Sequence, residues 1–192
     1  GMADTAEIEE AVNNLKKAGA AEIILLKCTS AYPSPAEEMN LKTIPDMAQR
    51  FGLPVGLSDH TLGIVAPVAA VALGACLIEK HFCMSRSDPG PDSAFSLEPD
   101  EFAEMVQSIR TAERALGKIS YERTRSEEAS AVFRRSLYAV QDIAKGETLT
   151  AKNVRSIRPG YGLPPKELPR ILGRRAGKDI KRGSPLAQEL LE

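Results

Sequence analysis

The chain contains two histidines, His60 and His81. Each closes a short apolar run, His60 in GLSDHT (56–61) and His81 in IEKHF (78–82). Imidazole nitrogens are good ligands for first-row divalent cations. Two of them, placed equivalently after neighbouring strands, can share one ion and leave coordination positions open for water or substrate oxygens. Such an ion polarises a carbonyl as a Lewis acid. The plainer alternative is that each histidine is a hydrogen-bonded strand-end residue with no metal.

Other polar groups gather after the same apolar runs. Thr29, Ser30 and Tyr32 follow the first; Ser58, Asp59 and Thr61 surround His60; Arg86, Asp88 and Asp92 follow His81. The C-terminal ends of parallel strands are where α/β proteins build their sites. Ser30 and Ser58 can donate to a phosphate, or only close a turn. Asp59 can orient a histidine or cap the next helix. Asp92, in a Gly/Pro-rich loop, can hold substrate hydroxyls or form an Asx-turn. Arg158, in RSIRPGYG (155–162), is either a ligand clamp or an exposed surface cation. Cys83 reads as packing.

The elements that must position these groups alternate. Residues 5–18, 35–51, 62–73 and 99–116 carry apolar side chains at helical spacing, with Pro45 a complication inside the second. Residues 22–28, 53–57 and 75–82 read as short buried strands. The order αβαβαβα, with short connections, predicts parallel neighbouring strands covered by helices. An open doubly wound sheet and a (β/α)₈ barrel both offer this order. No Gly-rich phosphate fingerprint follows a strand, which weakens the dinucleotide-binding option.

Residues 118–134 are charged and weakly periodic and read as a linker between a domain at 1–117 and a second at 135–192. The second begins with a strand at 136–141 and is rich in Gly and Pro turns. It holds an internal echo, DIAKGETL (142–149) and DIKRGSPL (179–186), both of the form D-I-x-K/R-G-x-x-L. A glycine turn flanked by anchoring Ile and Leu predicts two similar β-turn units.

Bulk properties exclude several classes. The chain has 25 Lys+Arg against 26 Asp+Glu, which gives no case for nucleic acid or an anionic membrane as partner. Three cysteines without C-x-x-C spacing argue against a disulfide framework and fit a reducing cytoplasm. Residues 61–78 are uncharged, but Pro67, Gly74 and the ionisable residues at both ends favour a buried helix running into a strand over a membrane span.

Five segments in this order carry a family resemblance: LLKCTSAYP (25–33), GLSDHTLG (56–63), IEKHF (78–82), GPDSAFSLEPDEF (90–102) and RSIRPGYGLPPK (155–166). Together they resemble the sialic acid synthases, most closely the pseudaminic branch. The resemblance implies a (β/α)₈ (TIM) barrel followed by a small, mostly β, antifreeze-like SAF domain of β-clip type. It implies condensation of phosphoenolpyruvate with an acetamido sugar, releasing phosphate; in the pseudaminic branch the sugar is 2,4-diacetamido-2,4,6-trideoxy-L-altrose. N-acetylneuraminate, legionaminate and spore-coat polysaccharide synthases are the alternatives within the family. By the same resemblance His60 and His81 hold one divalent cation, manganese first, with magnesium or cobalt as alternatives. Ser58 and Ser30 lie at the phosphate, Ser30 standing where sialic acid synthases often have Asn. Asp92 meets the acceptor sugar, and Arg158 reaches the N-acetyl group from the partner in a domain-swapped homodimer. Tyr32, after the first strand, is a further candidate for substrate binding.

The opening GMADTAEIEEAV (1–12) looks like the family segment that follows the fifth barrel strand, so the chain is expected to hold the last three strands. The earlier strands would carry the lysines for the phosphoenolpyruvate carboxylate and a glutamate near the reaction centre. On that reading the 192 residues alone are inactive as a synthase. Two readings of other classes remain: a non-catalytic sugar-binding module, and metal-dependent aldolase chemistry without phosphate release.

Overall fold

Asp4 starts the first helix. Its carboxylate accepts from the N–H groups of Ala6 and Glu7, and Glu7 reaches back to the N–H of Asp4, so orphan donors are satisfied in both directions. In the computed structural model, which describes residues 1–192, this helix is α1 (Thr5–Lys17). It is followed by β1 (Leu25–Cys28), α2 (Thr43–Phe51), β2 (Val55–Asp59), α3 (Val65–Ala72), β3 (Ile78–Lys80) and α4 (Pro99–Leu116). These elements form one compact unit, 1–119.

The expected helix over 35–51 is shorter in the structure. A 3₁₀ turn at Ala36–Glu38 and Asn40, at φ 46°, interrupt it, and the helix proper begins at Thr43. Pro45 then falls in the first turn, where its missing N–H leaves no intrahelical bond unmade. The second strand lies at Val55–Asp59 rather than 53–57, because Pro54 cannot donate to the ladder and the pairing starts after it. The third contracts from 75–82 to Ile78–Lys80, since the N–H of Ala75 still bonds the carbonyl of Ala70 at the end of α3.

The three strands form one parallel sheet in the order β1-β2-β3, with Cys28 opposite Ser58 and Asp59 opposite Lys80. This is the arrangement of three consecutive strands of a (β/α) barrel. Alternation along β2 sends Val55, Leu57 and Asp59 to the helix side and Gly56 and Ser58 to the other. On the helix side Val55 and Leu57 bury against Met39, Ile44, Met47 and Ala70. A neighbouring cluster of Leu97, Met105 and Ile109 seats α4 against α3. No helix is long and apolar enough to cross a membrane.

The loop after β3 returns to the sheet. The N–H of Leu97 donates to the carbonyl of His81, and that of Cys83 donates to Leu97. Arg86 holds the loop to the start of α4: its guanidinium pairs with Glu101 through both nitrogens, one at 2.9 Å, and bonds the carbonyl of Ser96. The Arg86 guanidinium first, and the N–H of Glu98 second, pull the Glu101 carboxyl down to about 2 from an ordinary 4.5.

The second unit, 120–192, contains the short helix α5 (Arg125–Glu128), a 3₁₀ segment Ala129–Phe133, the antiparallel pair β4 (Ser136–Ala139) and β5 (Val154–Ile157), and helix α6 (Leu168–Ile171). The segment expected as a linker packs on this unit: the N–H of Gly160 donates to the carbonyl of Val132. The sequence echo becomes an approximate two-fold. Ile143 and Ile180 exchange both backbone hydrogen bonds at 2.8 Å. Asp179 accepts from the N–H of Lys145, and Asp142 accepts from the N–H of Arg182, both at 2.7 Å. Gly146 donates to Ala176 and Gly183 to Ala139, three residues before the aspartate of the opposite repeat in each case. Leu149, Leu186, Ile143 and Ile180 meet in one buried core with Leu137, Val154 and Ile171.

Gly146 and Gly183 adopt φ of 79° and 87°, with open space where a Cβ would project. Alanine at either position therefore meets backbone strain alone, and each substitution is expected to cost about 1–2 kcal/mol. Urea unfolding measures both, and the two-fold predicts similar costs. For Glu101 the folded-state value lies below the unfolded one, so its contribution is full above about 4.5 and is lost as pH falls toward about 2. Denaturation of the natural chain and Glu101→Gln across that window is expected to show their stabilities converging as the pH drops.

Candidate functional site

The site forms where β2 and β3 run out. Asp59 opposite Lys80 is the last pair of the ladder, and His60 and His81 are the next residue on each strand. By alternation both imidazoles lie on the face opposite the helices, beside Ser58 and Glu79. Their ring centroids are 5.2 Å apart. A cleft of about 250 Å³ at this end is lined by residues 58–60 and 79–81.

His60 is buried, and its Nδ1 lies 2.9 Å from the carbonyl oxygen of Thr29. A carbonyl only accepts, so in the neutral ring the proton sits on Nδ1 and Nε2 keeps its lone pair. The Nδ1 of His81 lies 3.6 Å from the Asp92 carboxylate. A ring whose other nitrogen faces a carbonyl or carboxylate is the usual state of a metal-ligating histidine. Two imidazoles sharing one ion, each nitrogen about 2 Å from it, have centroids roughly 4.5–5.5 Å apart. The observed spacing fits that range. No group of three His, Cys, Asp or Glu in this chain is arranged to hold a metal ion.

Tyr32 packs over His60 at 4.3 Å between centroids and presents an edge-on contact to His81 at 5.9 Å, with its ring half exposed. Phe95, buried on the returning loop, backs His81 at 5.0 Å. Ser30 is exposed, with its hydroxyl 3.9 Å from the sulfur of Cys28. Arg158 lies in the second unit, exposed on the turn after β5. Of the seven residues expected to bind substrate or cation, six thus belong to the first unit, and five of them, Ser58, His60, His81, Asp92 and Tyr32, are linked by direct contact or by adjacency on one face.

Asp59 takes neither of the two roles expected of it. Its carboxylate accepts from the N–H and hydroxyl of Thr61 and from Lys80, not from a histidine. Helix α3 begins at Val65, too far on for Asp59 to cap. Glu79 was not singled out, yet it accepts the Ser58 hydroxyl at 2.6 Å. Its spacing of two from His81 on a strand was the available signal, since such residues share a face.

Residues 1–121 match the NeuB family and residues 134–192 match the SAF domain. The chain is 46% identical over 188 residues to the pseudaminic acid synthase of Campylobacter jejuni, covering 98% of this chain and 55% of that protein. It is 40% identical over 197 residues to the N,N'-diacetyllegionaminic acid synthase of Legionella pneumophila, covering 100% of this chain and 55% of that protein. The crystal structure of the Bacillus subtilis spore coat polysaccharide biosynthesis protein SpsE superposes with a TM-score of 0.58 at 33% identity, over 99% of this chain and 59% of that one. The chain spans about half the length of the curated relatives it matches. On the match over its first unit, the chain belongs to the NeuB family, the sialic acid synthase family, and joins a SAF domain to it.

Proposed function

We propose that the protein carrying this chain condenses phosphoenolpyruvate with 2,4-diacetamido-2,4,6-trideoxy-L-altrose to give pseudaminic acid and phosphate. His60 and His81 hold the divalent cation, manganese first, with magnesium or cobalt as alternatives. The observation that carries this reading is the facing pair of imidazoles, one with its Nδ1 fixed on the Thr29 carbonyl. A cation bound there supplies Lewis-acid activation of the acceptor's aldehyde.

The chain's own residues do the rest by placement. The Thr29 carbonyl keeps His60 in one tautomer. Tyr32 covers one face of that ring and limits water access to it. Asp92 faces both His81 and the open side, where sugar hydroxyls would donate to it. Ser58 is the phosphate donor of this reading, with Ser30 nearby on the next strand end. Ser58 now gives its proton to Glu79, so an arriving phosphate competes with that carboxylate for it. On this reading the Ser58 hydroxyl turns from Glu79 to the phosphate when the phosphate arrives. Arg158 contributes from the partner subunit of a domain-swapped homodimer, at the N-acetyl group. Three free cysteines support a reducing, cytoplasmic setting. The 192 residues alone are proposed to lack synthase activity, because the relatives are nearly twice as long.

Legionaminate synthesis is the second reading, favoured by the 40% identity to the Legionella protein. Phosphate release from phosphoenolpyruvate by the full-length protein, with each candidate acceptor and manganese, separates the two. Release is expected with the altrose derivative. It should fall by more than the roughly 10–100-fold that loss of an outer partner costs when His60 or His81 becomes alanine. Release with a different acceptor would reassign the sugar. Release unaffected by both substitutions and by chelation would remove the metal site, and no release with any acceptor would remove the synthase reading.

A further inference from the structure

Behind the two histidines lies a buried ion pair that the proposed chemistry does not use. The Nζ of Lys80 donates to Asp59 Oδ2 at 2.5 Å, with side chains only 1% and 0% exposed. It also donates to the carbonyl of Thr61. Asp59 fills its remaining capacity with the N–H and hydroxyl of Thr61, at 3.0 and 3.1 Å. Burying two charges costs several kcal/mol per ion before any attraction is counted, and apolar residues of similar volume are often as stable or better. Stability is therefore a weak account of this pair. The best-attested benefit of such pairs is fixed registry.

The registry in question is specific. The ladder between β2 and β3 stops at Asp59 and Lys80. At its end Lys80 adds a side-chain connection, holding the side chain before His60 and the carbonyl after it. The His60 carbonyl is tied separately to Ser34, and that of His81 to Leu97, so those bonds anchor each histidine to a different neighbour and not to the other.

We infer that the Asp59–Lys80 pair is a positioning device that sets the spacing of His60 and His81 from the opposite face of the sheet. This rests on the cation site proposed above, since the spacing matters through the ion. The pair touches neither substrate nor cation. It brackets the backbone of one histidine from the residue that precedes the other, and its removal would let the two strand ends splay.

The decisive variant is Asp59→Leu/Lys80→Met, which replaces the charges with apolar groups of similar size and leaves no unpaired ion. Cobalt(II) is the probe, its binding followed by visible absorption in the full-length protein, alongside thermal unfolding and ¹H–¹⁵N spectra of the metal-free imidazoles. The expected result is a melting temperature near that of the natural protein and a cobalt Kd weakened about 10-fold or more, the scale of losses seen when outer partners of metal ligands are removed. A folded double variant with unchanged Kd overturns the inference. Lys80→Arg, which keeps the charge pair but changes its reach, is the second variant should the double one not fold. It is expected to weaken cobalt binding too, and an unchanged Kd there also counts against the inference. If the natural protein binds no cobalt, the cation site falls, and the imidazole spectra decide the positioning alone: shifted or doubled His60 and His81 signals support it, and unchanged signals overturn it.

Discussion

The register that sets Asp59 opposite Lys80 controls the rest of the site. Parallel pairing aligns each strand residue with one partner, and alternation then assigns the residue to a face. One step back, Ser58 meets Glu79; one step on, His60 comes level with His81. A slip of a single residue would turn the histidines into the helix layer and expose a buried ion pair. Leu57 and Val55, packed under α2 and α3, resist that slip because it would carry them to the other face. The hydrophobic core and the candidate chemistry are thus two consequences of one pairing.

The second unit relies on a different economy. An eight-residue pattern used twice builds reciprocal contacts: isoleucine against isoleucine, and each aspartate on the amide four positions into the other repeat's motif. The aspartates satisfy backbone donors that the glycine turns would otherwise leave to water. Hydrogen bonds from N–H to a carboxylate lower its pKa, and Asp142 is held below its usual range chiefly by the N–H of Arg182, with Lys181 second. Self-complementary turns give this small unit a buried centre with little regular secondary structure.

Much of this was legible in the sequence, for physical reasons that can be named. The αβ alternation, α4 at 99–116, the two histidines at strand ends and the repeated D-I-x-K/R-G-x-x-L turn each rest on periodicity or on a residue with one strong conformational use. Boundaries were less legible. Asn40 at positive φ broke a helix that its apolar spacing extended, and Pro45, a complication inside that longer helix, falls in the first turn of the shorter one. Asp59 was misread because its partner, Lys80, lies 21 positions away and is brought to it only by strand pairing. Glu79 escaped notice for the same reason: its bond to Ser58 exists across the sheet, not along the chain. The sialic acid synthase resemblance suggested the roles; the structure supplied the contacts among the residues proposed for them.

The central claim is that His60 and His81 bind one cation between them. Crystals of the protein grown with manganese, with data collected for anomalous scattering, test it most directly. A single anomalous peak within bonding distance of one ring nitrogen of each histidine is the predicted result. A peak at some other site, with both imidazoles free of metal, would contradict the account.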